Sequence, residues 1–188
     1  MKKIIFDLDD TLYKSPQLRA AREKALSTYL GQRVEEYRKY RKEHSTLKSL
    51  ELMKIDRMRF FEIMKEVPIH LEKDNLLISL LEKLSKTYKL VVISNISLFC
   101  VKETLNQLGI VHLISEYYGD ENFINSKPSE EAFSLVDKGD ICVGNNYKKD
   151  LEIPKKKGAI TILISESIHP KADYTIKEIY ELERIIWP

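Results

Sequence analysis

Four short apolar runs constrain the fold of this chain more than any other feature. Residues 4–6 (IIF), 90–93 (LVVI), 141–143 (ICV) and 160–164 (ITILI) are continuous and rich in β-branched side chains. That is the composition of parallel strands covered on both faces; a half-exposed strand would alternate apolar with polar. Helical segments fill the gaps between the later runs: about 98–108, closed by Gly109; about 129–137, starting just after Pro128; and a short one near 148–157, ended by Gly158. The tail, residues 172–186, adds a short edge strand and a last helix. The expectation is an α/β fold, an open parallel sheet with right-handed crossovers whose ligands bind at the carboxyl ends of the strands.

Residues 15–73 break this alternation. Ser15 and Pro16 supply a cap and a first helical proline, Leu18, Ala21, Ala25, Leu26 and Tyr29 keep an apolar stripe, and Gly31 ends the helix. A more polar helix runs on from Val34 to about His44, a short segment follows around Leu47 to Met53, and Asp56 caps a helix carrying Phe60, Phe61, Ile63, Met64 and Val67. Such a strandless stretch inserted directly after the first strand reads as a small all-helical cap domain, a lid for a site at the strand ends. The core then comprises residues 1–14 and 74–188, and the insertion residues 15–73.

Charge and cysteine content exclude some classes of function. With 31 Lys and Arg against 29 Asp and Glu, the formal net charge is +2, too small to imply a nucleic-acid or membrane partner. No 18-residue apolar stretch is present, and the N-terminal lysines lead into aspartates after three apolar residues, unlike a signal peptide. Cys100 and Cys142 lie in apolar runs and read as reduced core residues. A soluble, cytoplasmic monomer or homodimer is expected. His44, His70, His112 and His169 have no mutual ligand spacing, so zinc is not expected, and the basic runs at 38–44 and 155–157 read as solvated faces.

The chemistry begins where the first strand stops. Asp7, Asp9 and Asp10 fall within four positions of one another, and like charges so close demand a positive partner. An oxygen-rich cluster favours a hard cation, and Mg²⁺ held by a few protein oxygens plus substrate phosphate is the usual case. Ser94 and Asn95, at the end of the second run, can donate to a phosphoryl oxygen. Lys127 stands where it can neutralise charge developing on a transferred phosphoryl group. Gly144, Asn145, Asn146 and then Asp150 follow the third run.

In order, FDLDDTLY, VVISN, SKPSEEAF and VGNNYKKD resemble the motif set of the haloacid dehalogenase-like superfamily, mostly phosphatases with a Rossmann-like core. The resemblance covers residues 3–14 and about 74–176, and the helical insertion matches the family's cap in position. It implies that Asp7 is the nucleophile, Asp9 the general acid and base, Ser94 and Lys127 the second- and third-motif residues, and Asn145 with Asp150 the fourth motif, where the family usually has Gly-Asp. Mg²⁺ is implied between the Asp7 carboxylate, the Asp9 backbone carbonyl and the side chains of Asn145 and Asp150. Family members that cleave carbon–halogen bonds lack the second acid and the metal, so Asp9 points to a small phosphorylated metabolite as substrate. Residues 44–56, HSTLKSLELMKID, resemble the cap of pyrimidine 5′-nucleotidase-like members, which puts nucleoside monophosphates among the candidates. A phosphomutase, or a phosphate-binding homologue weakened by Asn145, are the alternatives. Only about sixteen residues separate Lys127 from Gly144, so the helix from Ser129 to about Asp137 is expected to be clipped to roughly two turns.

Overall fold

Successive side chains of the first strand, β1 (Lys3–Phe6), enter two different cores. Ile4 and Phe6 pack into one apolar layer and Ile5 into the other, all three essentially inaccessible to water. The computed structural model describes residues 1–187, which form one sheet of six parallel strands, β1 with β2 (Lys89–Ile93), β3 (Glu116–Tyr118), β4 (Ile141–Gly144), β5 (Ile160–Ile164) and β6 (Tyr174–Ile176). Their order is β3-β2-β1-β4-β5-β6, a Rossmann-like α/β arrangement. Phe6 lies level with Val92 on one side and Val143 on the other.

The chain separates into two compact units, residues 1–14 with 71–188, and residues 15–70. The second unit is all helix: α1 (Pro16–Leu30), α2 (Val34–Arg41), α3 (Thr46–Leu52) and α4 (Arg57–Glu66). Ser15, Ser45 and Asp56 cap α1, α3 and α4 through side-chain oxygens that accept from Leu18, Lys48 and Met58 N–H, as short polar residues before apolar helices do. Its buried side chains include Leu18, Leu26, Leu50, Phe60 and Phe61.

In the sheet unit, α5 (Asn75–Ser85) starts where Asp74 Oδ1 accepts the N–H groups of Leu76 and Leu77 at 2.9 and 3.1 Å. Leu77, Leu80, Leu81 and Leu84, one helical stripe, pack with Val101 and Leu105 of α6 (Leu98–Gln107) against Ile4, Phe6 and Val92. Burying each leucine contributes roughly 1.5–3 kcal/mol. The opposite layer joins Ile5, Val91, Cys142 and Leu163 to Ala132, Phe133, Val136 and Leu151. Cys100 and Cys142 are buried free thiols. The helix α7 (Glu152–Lys156) follows a π turn over Tyr147–Leu151, and α8 (Leu182–Ile186) is the last helix among the described residues. Pro154 explains the π turn: it has no N–H for the ladder and its ring crowds the carbonyl four residues back, so the bonding widens upstream.

Two elements differ from expectation. The edge strand β3 has no counterpart in the sequence reading: three residues, all half-buried, carry too little pattern. Residues 129–137 form a run of turns in place of the expected helix. Phe133 N–H reaches back to Ser129, but Ser134 and Val136 donate only three residues back, to Glu131 and Phe133. Side chains compete for the helical hydrogen bonds: Ser129 Oγ accepts Ala132 N–H, and the Glu131 carboxylate turns back to the N–H groups of Ile124 and Asn125 at 2.8 and 3.0 Å.

Candidate active site

The order of the sheet reverses at β1: the chain runs outward to β2 and β3, then returns to β4 on the other side. Such a switch point leaves a crevice beyond the strand ends, and Asp7 is the first residue past β1. Its N–H continues the ladder by donating to Val143 O at 2.9 Å, which fixes the backbone from which the carboxylate projects. The chain then turns tightly, with Leu12 N–H on Leu8 O and Asp10 at φ 61°, a left-handed conformation that aspartate tolerates. That turn brings the Thr11 hydroxyl back to Asp7 Oδ2 at 3.1 Å.

The positive partner that the aspartates require comes from 120 residues away. Lys127 Nζ lies 2.7 Å from Asp7 Oδ1 and 2.8 Å from Asp150 Oδ1, and all three side chains are no more than 3% exposed. Asp150 Oδ2 accepts Asn146 N–H at 3.1 Å. Its approach depends on Gly144: a Cβ there would lie 2.5 Å from Asp150 Cβ and 2.9 Å from its carboxyl carbon.

Burial pushes the Asp7 carboxyl up, but Lys127, Lys149 and the Leu8 N–H outweigh it, and Asp7 is held below its ordinary range. Asp150 lies above its ordinary range because burial and the Asp7 charge outweigh the same two lysines. For Lys127, burial favours the neutral amine, yet Asp150 and Asp7 together raise it above an ordinary lysine. The cluster therefore holds an ionised Asp7 and a charged Lys127, with Asp150 the carboxyl that takes a proton most readily.

The other expected site residues are placed as follows. The half-buried Asp9 accepts the Tyr13 hydroxyl at Oδ1, which holds its carboxylate within the same turn. Ser94 is buried just beyond β2, with its N–H on Tyr118 O at 3.0 Å. Asn95 faces Lys127: its Nδ2 donates to Lys127 O at 2.7 Å and its Oδ1 accepts Lys127 N–H at 3.0 Å. Asn145 follows Gly144, half-buried.

Residues 4–138 match the family described as haloacid dehalogenase-like hydrolase. The chain belongs to that family. Among solved structures, this haloacid dehalogenase-like hydrolase is similar to a HAD phosphatase from Thermococcus onnurineus, 23% identical over 100% of this chain and 98% of that one, with a TM-score of 0.74. It is also similar to a magnesium-bound putative HAD-hydrolase from Bacillus subtilis (16% identity, 98% of each chain, TM-score 0.68). A 2-haloacid dehalogenase from Pseudomonas syringae pv. Tomato shares the fold as well (18% identity, 99% of this chain and 98% of that one, TM-score 0.64). No curated protein sequence matches the chain. Among the described residues no helix is long and apolar enough to cross a membrane.

Sequence reasoning missed three contributors to the site of this haloacid dehalogenase-like hydrolase. Thr11 orients Asp7, and its signal was a hydroxyl four residues on, across a turn. Tyr13 holds Asp9 from the same spacing. Lys149 adds a second positive charge that lowers both Asp7 and Asp150; in the sequence it is one lysine among many.

Proposed function

We propose that this hydrolase is a Mg²⁺-dependent phosphomonoesterase acting on a small phosphorylated metabolite, with nucleoside monophosphates among the candidate substrates, through an aspartyl phosphate on Asp7. The observation that carries the proposal is the pairing of an ionised, buried Asp7, fixed through both oxygens by Lys127 and Thr11, with a second acid, Asp9, two residues on and held by Tyr13. A departing halide needs no proton. An alkoxide does, and in this reading Asp9 supplies it.

In this reading an Asp7 oxygen attacks phosphorus in line, the bond to the leaving oxygen breaks, and Asp9 protonates that oxygen. Asp9, now ionised, removes a proton from the water that attacks the acyl phosphate, which frees Asp7 and inorganic phosphate. Ser94 and Lys127 hold the phosphoryl oxygens and offset their charge. The helical unit, residues 15–70, serves as the cap that selects the substrate.

The donor set suits Mg²⁺. Asp7 and Asp150 offer carboxylate oxygens and Asn145 an amide oxygen, the ligand type a hard cation takes, while Lys127 and Lys149 offset the carboxylate charge. Among the described residues no group of three acidic, histidine or cysteine side chains is gathered as a metal cage. Asp7, Asp150, Asn145 and the Asp9 carbonyl would hold it. When bound, the ion offsets phosphate charge and orients the phosphoryl group. Asn145 supplies a neutral oxygen where the family motif has a carboxylate, which supports a second reading, a homologue with weak turnover that retains phosphate ligands.

The test is hydrolysis of an aryl phosphate with and without Mg²⁺, in the parent and in Asp7→Asn. Phosphate release that needs Mg²⁺ and is abolished by Asp7→Asn supports the enzyme. Binding of phosphate without turnover supports the second reading, halide release from a 2-haloacid would overturn both, and a product that retains its phosphate would identify a phosphomutase.

A further inference from the structure

Lys127 has to reach two carboxylates from a segment that no strand ladder holds. Residues 123–129 run as bends and irregular chain, and the neighbouring Pro128 has no N–H to donate. A lysine stem is long and flexible, so a drift of its Cα would carry the ammonium off one oxygen or the other. The backbone is fixed by a side chain from another strand end. The Asn95 carboxamide accepts Lys127 N–H at 3.0 Å and donates to Lys127 C=O at 2.7 Å, the two-way exchange that one strand residue makes with its partner. One orientation of the amide satisfies both contacts; the flipped one sets donor against donor and acceptor against acceptor.

We propose that Asn95 is a positioning residue. Its carboxamide clamps the Lys127 backbone so that the ammonium stays centred between Asp7 and Asp150, and it influences phosphoryl transfer through that lysine, without touching the phosphoryl group. Because Asn95 directly follows Ser94, the same clamp sets the spacing between the hydroxyl and the ammonium. The kinetic consequence rests on the phosphomonoesterase reading, whereas the clamp is independent of it.

Two measurements on the full chain separate these. Reductive methylation, read by peptide mass spectrometry, reports access to the Lys127 amine. Lys127 should be protected in the parent and modified roughly tenfold faster in Asn95→Ala, as local opening releases protection, with exposed Lys42 unchanged and the buried Cys100 and Cys142 thiols still unreactive. Asn95→Asp, which keeps the acceptor, loses the donor and preserves the shape, should fall between them and serves if the alanine variant does not fold. Unchanged protection of Lys127 in both variants would overturn the clamp.

The second measurement is the affinity for inorganic phosphate, by calorimetry, in the parent, Asn95→Ala, Lys127→Met and the double variant. Action through the lysine predicts that the Asn95→Ala loss disappears when Lys127 is already gone. An equal loss in both backgrounds would show direct contact with phosphate and overturn the proposal. In kinetics, kcat should fall on the order of 10²-fold, the scale of a catalytic group displaced by about an ångström. A parent that hydrolyses no phosphomonoester would remove the functional reading and leave the methylation result to judge the clamp.

Discussion

Replacing Lys127 by methionine keeps much of the volume and removes the charge. In the parent, Nζ lies 2.7 and 2.8 Å from two carboxylates, with the side chains 1–3% exposed. Breaking a buried ion pair by removing one partner costs about 3–5 kcal/mol, because the other charge stays buried and uncompensated. Each kcal/mol moves the midpoint of a protein this size by roughly 2–4 °C, so Tm should fall by about 10 °C at neutral pH in chelator. The pH dependence has a definite sign. Without the lysine, burial and mutual repulsion raise the folded pKa values of Asp7 and Asp150 above their unfolded values. That penalty is full where both carboxyls are ionised and fades as pH falls through the raised values, so the gap to the parent should narrow on acidification. In the parent the raised Lys127 pKa contributes stability at all pH values below the unfolded lysine range, lost only as pH rises through the folded value. Circular dichroism melts across pH provide the assay. A loss below about 2 °C, or one that grows on acidification, would mean that Lys127 is not what neutralises these carboxylates.

Three further outcomes are expected. Asp9→Asn should slow hydrolysis of an alkyl phosphate by about 10²–10⁴-fold and formation of the acyl phosphate from an activated aryl phosphate far less; equal losses in burst kinetics would remove Asp9 from the acid role. Gly144→Ala would set a methyl 2.5 Å from Asp150 Cβ, so Asp150 must leave Lys127, and kcat should drop by about 10²-fold with a stability loss of about 1–3 kcal/mol; an active, fully stable variant would show that the contact is dispensable. Asn145→Asp should tighten Mg²⁺ binding by calorimetry and raise activity most at limiting Mg²⁺; an unchanged titration would place residue 145 outside the ion's shell.

The core strands were legible because their apolar runs are continuous, and the helices because caps such as Ser15 and Asp56 stand where the periodicity starts. What the sequence hides are contacts that depend on three-dimensional return. β3 is defined by its parallel pairing with β2. The turns at 129–137 look helical until Glu131 is seen spending its carboxylate on Ile124 and Asn125. Asp7, Lys127 and Asp150 could each be picked out as residues suited to chemistry. Their shared contact, and the commitment of Asn95 to the Lys127 backbone, emerge only when the segments after β1, β2, β3 and β4 converge.

The central place of β1 also fixes an order of events on the ribosome. The strand that leads into Asp7 is the first of the six to be made, yet its neighbours lie at residues 89–93 and 141–144. At about 5–20 residues per second, it waits several seconds for its first hydrogen-bonding partner and longer for its second. Meanwhile the helical stretch between residues 15 and 70, whose contacts are local in sequence, has everything it needs to form. A nascent chain stalled before β4 therefore carries an unsealed sheet edge beside Asp7, and that edge is the surface a chaperone or a second nascent chain would meet.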